Sequence, residues 1–137
     1  MKETVFLAGT KNNSNWREEL IRLLDKNIIK CINPLDSTKP DAKKRQQEEI
    51  IEKVFSDKIL YVITPLYLKE DIYEIVADSM RLPNKALIFI LPTDKGKIFN
   101  NEDKKELKKL TTALKEANVT LIPGKDLQSL ANYLNKK

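Results

Sequence analysis

SDKILYVITPLYLKEDIYEIVADS, residues Ser56–Ser79, reads as a strand, a loop and a helix in succession. Ile59–Ile63 is apolar without polar alternation, the mark of a strand buried on both faces. Thr64-Pro65 ends it. Ile72, Ile75, Val76 and Met80 then recur at helical spacing over about Glu70–Arg81, an apolar stripe expected to face inward. Leu82-Pro83-Asn84 stops the helix. Glu74 therefore falls in the early turns of a helix beyond the carboxyl end of a strand, where open α/β sheets bind their ligands.

The same alternation of strand and helix continues on either side. Thr4–Ala8 predicts a first strand, closed by Gly9-Thr10, and the turn formers TKNNSN lead to a helix from near Trp16, capped by Ser14 or Asn15. Ile28–Ile32 predicts a second strand, and Ala42–Phe55 a helix with Ile50, Ile51, Val54 and Phe55 as its inner stripe. Ala86–Leu91 predicts the fourth strand, Pro92 to Asn101 a loop, and Glu102–Ala117 a helix with Leu107, Leu110 and Leu114 inward. Val119–Ile122 predicts the fifth strand, and Asp126 caps a last helix with Leu127, Leu130, Ala131 and Leu134 inward. Five apolar strands alternating with five helices point to an α/β fold. The expectation is a five-stranded parallel sheet of flavodoxin-like order 2-1-3-4-5, with helices on both faces and a crevice between strands 1 and 3. A length of 137 residues predicts a single domain over 1–137.

Composition narrows the chemistry. The chain has no histidine, which removes Ser-His-Asp and Cys-His mechanisms and the usual zinc sites. Acid–base work is left to Asp, Glu, Lys or Tyr. Three glycines cannot supply a dinucleotide fingerprint or a phosphate loop. No metal pattern stands out, and no cofactor is expected. The lone cysteine, Cys31, sits in an apolar run and suits a buried thiol in a reducing cytoplasm. There is no apolar run long enough to span a membrane and no signal-peptide pattern, so a cytoplasmic protein is expected. The formal charge of +5 comes from Lys and Arg interleaved with Glu and Asp, as in EDKKELKK; this is a solvated helix face and argues against a nucleic-acid footprint.

The expected crevice collects polar side chains from three loops: Thr10, Asn12, Asn15, Asn33, Asp36, Thr64, Tyr67, Asp71 and Glu74. This array suits a polar small molecule bearing several hydroxyls. Against it stands a plainer reading, in which Glu74 is a helix glutamate paired with a nearby cation, Asp57 a cap and Asp78 a solvent charge.

VFLAGT, SNWREEL, NPLD, SDKILYVITP and EDIYEIVADSMR, taken in order over roughly Val5 to Leu91, resemble the nucleoside 2-deoxyribosyltransferase-like family, closest to its short phage and bacterial branch. TIR-like NAD hydrolases share a related layout and a helix glutamate. The resemblance implies that Glu74 attacks the anomeric carbon of the sugar to form a glycosyl-enzyme intermediate. It implies that Asp57, just before strand 3, positions the sugar or activates Glu74, and that a further carboxylic acid protonates the leaving base, with Asp36, Asp71 and Asp78 as candidates. Such chemistry needs a nucleophile and an acid because expelling a base builds oxocarbenium character and leaves charge on nitrogen. Tyr73 departs from the small residue that family members usually carry ahead of the glutamate, and would stack on the ligand or offer its hydroxyl. Full transferases complete the site with a neighbouring subunit, so the resemblance also implies a homo-oligomer.

These readings lead to cleavage or base exchange at an N-glycosidic bond of a nucleoside, nucleotide or related ligand. The alternatives are a module of the same fold that binds or senses such a ligand without turnover, and a regulatory partner protein that uses its basic surface.

Overall fold

The expected first strand is the middle of β1 (Glu3–Gly9) in the computed structural model, which describes residues 2–11, 13–36 and 41–136. β2 (Ile29–Ile32), β3 (Lys58–Ile63) and β4 (Ala86–Ile90) follow. β5 (Thr93–Asp94) and β6 (Lys97–Ile98) form a separate antiparallel hairpin, and β7 (Thr120–Leu121) returns to the main sheet. The helices are α1 (Trp16–Leu23), α2 (Ala42–Phe55), α3 (Lys69–Arg81), α4 (Asn101–Glu116) and α5 (Leu127–Asn135). The main sheet is all parallel, in the order β2-β1-β3-β4-β7. This is the expected flavodoxin-like order, with β7 as the fifth strand.

The central strands are apolar over Val5–Ala8, Ile59–Ile63 and Ala86–Ile90 because both faces of the sheet are covered there. Val5, Leu7, Leu60 and Val62 pack under Trp16 and Leu20 of α1 and Leu130 and Leu134 of α5. Phe6, Tyr61, Ile63 and Ile88 pack under Ile75 of α3 and Leu107, Leu110 and Leu114 of α4. Each Leu or Ile side chain buried in this way contributes about 1.5–3 kcal/mol. The α4 and α5 stripes dock as their spacing predicts. Asp126 caps α5 by accepting the Ser129 N–H, while Asn100 caps α4 in a reciprocal pair with Asp103.

Three expectations need correction. The Pro92–Asn101 loop contains the β5–β6 hairpin, whose two-residue turn, Lys95-Gly96, has both φ angles positive (50° and 78°) and so matches the twist of the strands. The fifth strand is shorter than Val119–Ile122. The third correction is the largest. Ile50, Ile51, Val54 and Phe55 do not form an inner stripe of α2, and Val76 and Met80 do not face inward from α3; all six are exposed. The one buried side chain of α2 is Lys53. Its ammonium lies over the Phe6 ring, 5.5 Å from the centroid, and reaches Asp78 on α3. A charged network occupies the space beneath α2, so its apolar stripe turns outward.

Candidate functional site

The carboxyl ends of β1 and β3 are stitched together by the turn after β1. Gly9, at φ 106°, lets the backbone pass against Val62. The Thr10 N–H then donates to the Val62 carbonyl (2.9 Å), and the Thr64 N–H donates to the Thr10 hydroxyl (2.9 Å). Arg17, fully buried at the start of α1, secures the same turn. It donates to the carbonyls of Leu7 (3.0 Å), Thr10 (2.7 Å) and Gly9 (3.4 Å), and its guanidinium stacks on Trp16 at 4.4 Å. Trp16 in turn donates its indole N–H to Thr10 (2.8 Å). Burial pushes Arg17 down to about 10, against the pull of Asp71 and Glu74, so it stays cationic at neutral pH.

Beside this turn runs a ladder of opposite charges. Lys11 lies 3.7 Å from Glu49 of α2 and 3.5 Å from Glu74 of α3. Lys53 lies 3.3 Å from Glu74 and 2.6 Å from Asp78. Asp78 is buried and also accepts hydrogen bonds from the Tyr61 hydroxyl and from Arg81 (2.8 Å). The spacing comes from the helices: Glu49 and Lys53 are one turn apart on α2, as are Glu74 and Asp78 on α3. Asp71, one turn before Glu74, accepts the Leu68 N–H (2.9 Å) at the start of α3. Burial raises its carboxyl above the ordinary value; the Leu68 hydrogen bond opposes that, and the charge of Glu74 adds to it.

The sequence-predicted residues divide into two groups. Thr10 lies on the turn at the carboxyl ends of β1 and β3, Asp71 and Glu74 lie in the early turns of α3, and Asp78 is joined to Glu74 through Lys53. Tyr67 turns from the crevice and donates its hydroxyl towards Asp103 and Glu106 of α4, each at 3.0 Å. Asn15 is exposed at the start of α1, where the Ser14 hydroxyl instead accepts the Trp16 N–H and bonds Asp94 of the hairpin. Tyr73 projects into solvent and does not obstruct the crevice. Asp57 precedes β3, so it lies at the amino end of the sheet, where it accepts the Thr4 N–H (2.8 Å). The length of β3 separates it from the crevice, and the structure does not bring it to Glu74. Asp36 ends a short 3-10 turn; its side chain, like all of Asn12, lies outside the described residues.

Sequence reasoning missed Lys11, Arg17, Lys53 and Tyr61. Arg17 left a signal, since it shares the buried side of α1 with Trp16 and Leu20. The other three had none, because their roles depend on pairing across elements. Among the described residues no cluster of His, Cys, Asp or Glu is arranged to hold a metal ion, and no helix is long and apolar enough to cross a membrane.

The ladder makes stability depend on pH. Burial alone would raise the Asp78 carboxyl, but the hydrogen bonds from Lys53, Tyr61 and Arg81 outweigh it and hold the group below its ordinary value. A depressed value in the folded state means that ionised Asp78 stabilises the fold above its unfolded value near pH ~3.9, and that this is lost as pH falls through the folded value. Asp71, raised in the fold, acts with the opposite sign. The contribution of Asp78 is therefore read by difference: Asp78→Asn melts well below the parent at pH 7, and the gap narrows as the pH is lowered towards 3. A gap that stays constant would assign Asp78 no role in acid stability.

No protein-family model matches the chain, and no curated protein matches it. A solved structure, the crystal structure of a conserved protein from Enterococcus faecalis, is similar over 96% of each chain at 15% identity and a TM-score of 0.55. At that identity the likeness shows a shared fold.

Proposed function

We propose that the protein breaks or exchanges an N-glycosidic bond in a nucleoside, nucleotide or related small molecule, with Glu74 as nucleophile. The observation that carries this reading is the pairing of Glu74 with Asp71, one turn apart on one side of α3 and beyond the carboxyl end of β3. Two carboxyls in different surroundings suit two roles. Glu74 faces two ammonium groups, whereas burial favours the protonated form of Asp71. In the step proposed, a Glu74 carboxylate oxygen bonds to the anomeric carbon as the carbon–nitrogen bond breaks. The bonding pair leaves on the base nitrogen, which takes the Asp71 proton. Water or a second base then opens the glycosyl ester. Asp78 is a poor choice for the acid, because both its oxygens are occupied by Lys53, Tyr61 and Arg81. Lys11, on the turn and partly exposed, is the group an entering ligand would displace from Glu74. The half-buried Cys31, whose thiol is pushed up to about 11 by burial, suits the reducing cytoplasm proposed for the protein.

One observation favours a second reading. Lys11 and Lys53 both sit on Glu74, an arrangement that also serves a module that binds a ligand and does not turn it over. A base-release assay separates the two. The protein is incubated with deoxynucleosides, deoxynucleoside monophosphates and NAD, with and without an acceptor base, and the products are resolved by liquid chromatography. Free or exchanged base is the expected result. Ligand binding by calorimetry with no base released from any compound would replace catalysis with binding.

A further inference from the structure

The amino end of the sheet, opposite the crevice, holds a separate cavity of about 410 Å³. Its floor follows from strand alternation. Val5, Leu60, Leu87 and Ile122 face the side of the sheet covered by α1 and α5. Glu3, Lys58 and Thr120 each stand two residues before one of these, so they point to the same side. α5 covers that side with Leu127, Leu130, Ala131 and Leu134 and ends at Asn135. The cavity lies where this last turn of α5 meets the first residues of β1, β3 and β7. Its wall is held in place, because Asn135 accepts the Asp25 N–H (2.8 Å) and donates to the Leu23 carbonyl (3.1 Å). Tyr133, two residues earlier and so on the other side of the helix, lines the cavity beside Leu134.

Lysine pairing singles out this place. Among the described residues, the lysines withdrawn from solvent are Lys11, Lys53, Lys58 and Lys85. Lys11 and Lys53 pair with carboxylates, and Lys85 donates to the Val54 carbonyl (2.6 Å). Lys58 is half-buried on the core-facing side of β3, and no group of the described chain pairs with it. A cation so placed is stabilised by an anion brought to it.

We infer that the cavity binds a small aromatic acid, a flat ring carrying one carboxylate or phosphate. The ring lies between Tyr133 and the buried Leu87 and Leu134, contacts that favour an aromatic group. Its acid group meets Lys58, with Lys136 and the Thr120 hydroxyl beside it as further donors. The volume falls within the ~300–1,000 Å³ of small-molecule sites. Glu3 lines the same space and repels a polyanion, so a single acid group fits where a nucleic-acid strand does not. The six residues of β3, about 20 Å of strand, separate the cavity from the crevice, and the inference does not depend on the glycosidic reading.

A proton–nitrogen NMR titration with naphthalene carboxylate, naphthyl phosphate and uncharged naphthyl methanol tests it. Both acids are expected to bind saturably with Kd below ~1 mM. They should shift the amides of Lys58, Leu87, Thr120 and Leu134 and leave those of Thr10 and Thr64 in place. Which acid binds tighter tells a carboxylate ligand from a phosphate. Lys58→Met, which keeps the apolar stem, is expected to weaken the acids about tenfold and leave the alcohol unchanged. Tyr133→Ala, at an exposed position, should weaken all three and keeps the test decisive if Lys58→Met does not fold. Lys69→Met at the exposed start of α3 is the control and should change nothing. An absence of saturable binding overturns the inference, as does acid binding that survives both Lys58→Met and Tyr133→Ala. Shifts gathered instead around exposed Phe55 and Met80 would overturn it too, as general adhesion to apolar surface.

Discussion

Glu74→Gln is expected to lower base release by about 10³–10⁶-fold, the range seen when a covalent nucleophile is removed. The amide keeps the size of the side chain and loses the charge that attacks the anomeric carbon, so kcat falls while ligand affinity changes little. The fold should tolerate the change. Lys53 keeps Asp78 and Lys11 keeps Glu49, and the partly exposed pairs lost with Glu74 contribute about 0–1 kcal/mol each. A melting temperature within a few degrees of the parent (~1 kcal/mol) therefore accompanies the loss of turnover. Asp71→Asn extends the argument. It should slow base release most for substrates with poor leaving groups, because those depend on the proton, and it should remove a basic limb from the pH–rate profile. Undiminished turnover in Glu74→Gln would remove the residue from the mechanism, whatever the substrate.

Gly9→Ala is expected to be the most damaging single methyl in the protein, at about 3–5 kcal/mol, or a fall of about 10–20 °C in melting temperature. An added Cβ would stand 2.3 Å from the Val62 carbonyl oxygen and 2.5 Å from its nitrogen. Neither is a side-chain tip that can swing aside. Relief requires parting β1 from β3 at the Thr10–Val62 hydrogen bond, which also moves the turn that carries Thr10 and Lys11. The positive φ of 106° adds backbone strain of its own. Gly96→Ala is the control. It shares a positive φ of 78° but meets nothing within 4 Å, so it should cost only about 1–2 kcal/mol. Thermal melts of the two variants separate strain from close contact, and equal losses would show that the approach to Val62 can relax.

The sheet was legible in the sequence because a parallel sheet covered on both faces imposes a local rule. Every residue of Ile59–Ile63 and Ala86–Ile90 must be apolar, and the turns between must break the run. The stripes of α4 and α5 were legible for the same reason, as each meets an apolar stretch of sheet. The place of Glu74 followed from connectivity, since a residue in the first turns after β3 has to lie near the crevice. Connectivity also argues against Asp57: a residue just before a strand belongs to the sheet's other end, and resemblance alone had joined it to Glu74.

Tertiary structure decided which way the helices face. The spacing of Ile50, Ile51, Val54 and Phe55 established that α2 has an apolar side, but a helical period carries no information about what that side will meet. The answer lay in buried Asp78, which accepts the Tyr61 hydroxyl and pairs with Lys53 of α2. A buried carboxylate must be matched by a cation, and that requirement turned the helix over and left its apolar side open. Lys11 and Lys53 became site residues in the same way, through their pairs with Glu49, Glu74 and Asp78. Charge pairing acts through space between elements far apart in the chain, whereas burial of a strand is written in consecutive residues.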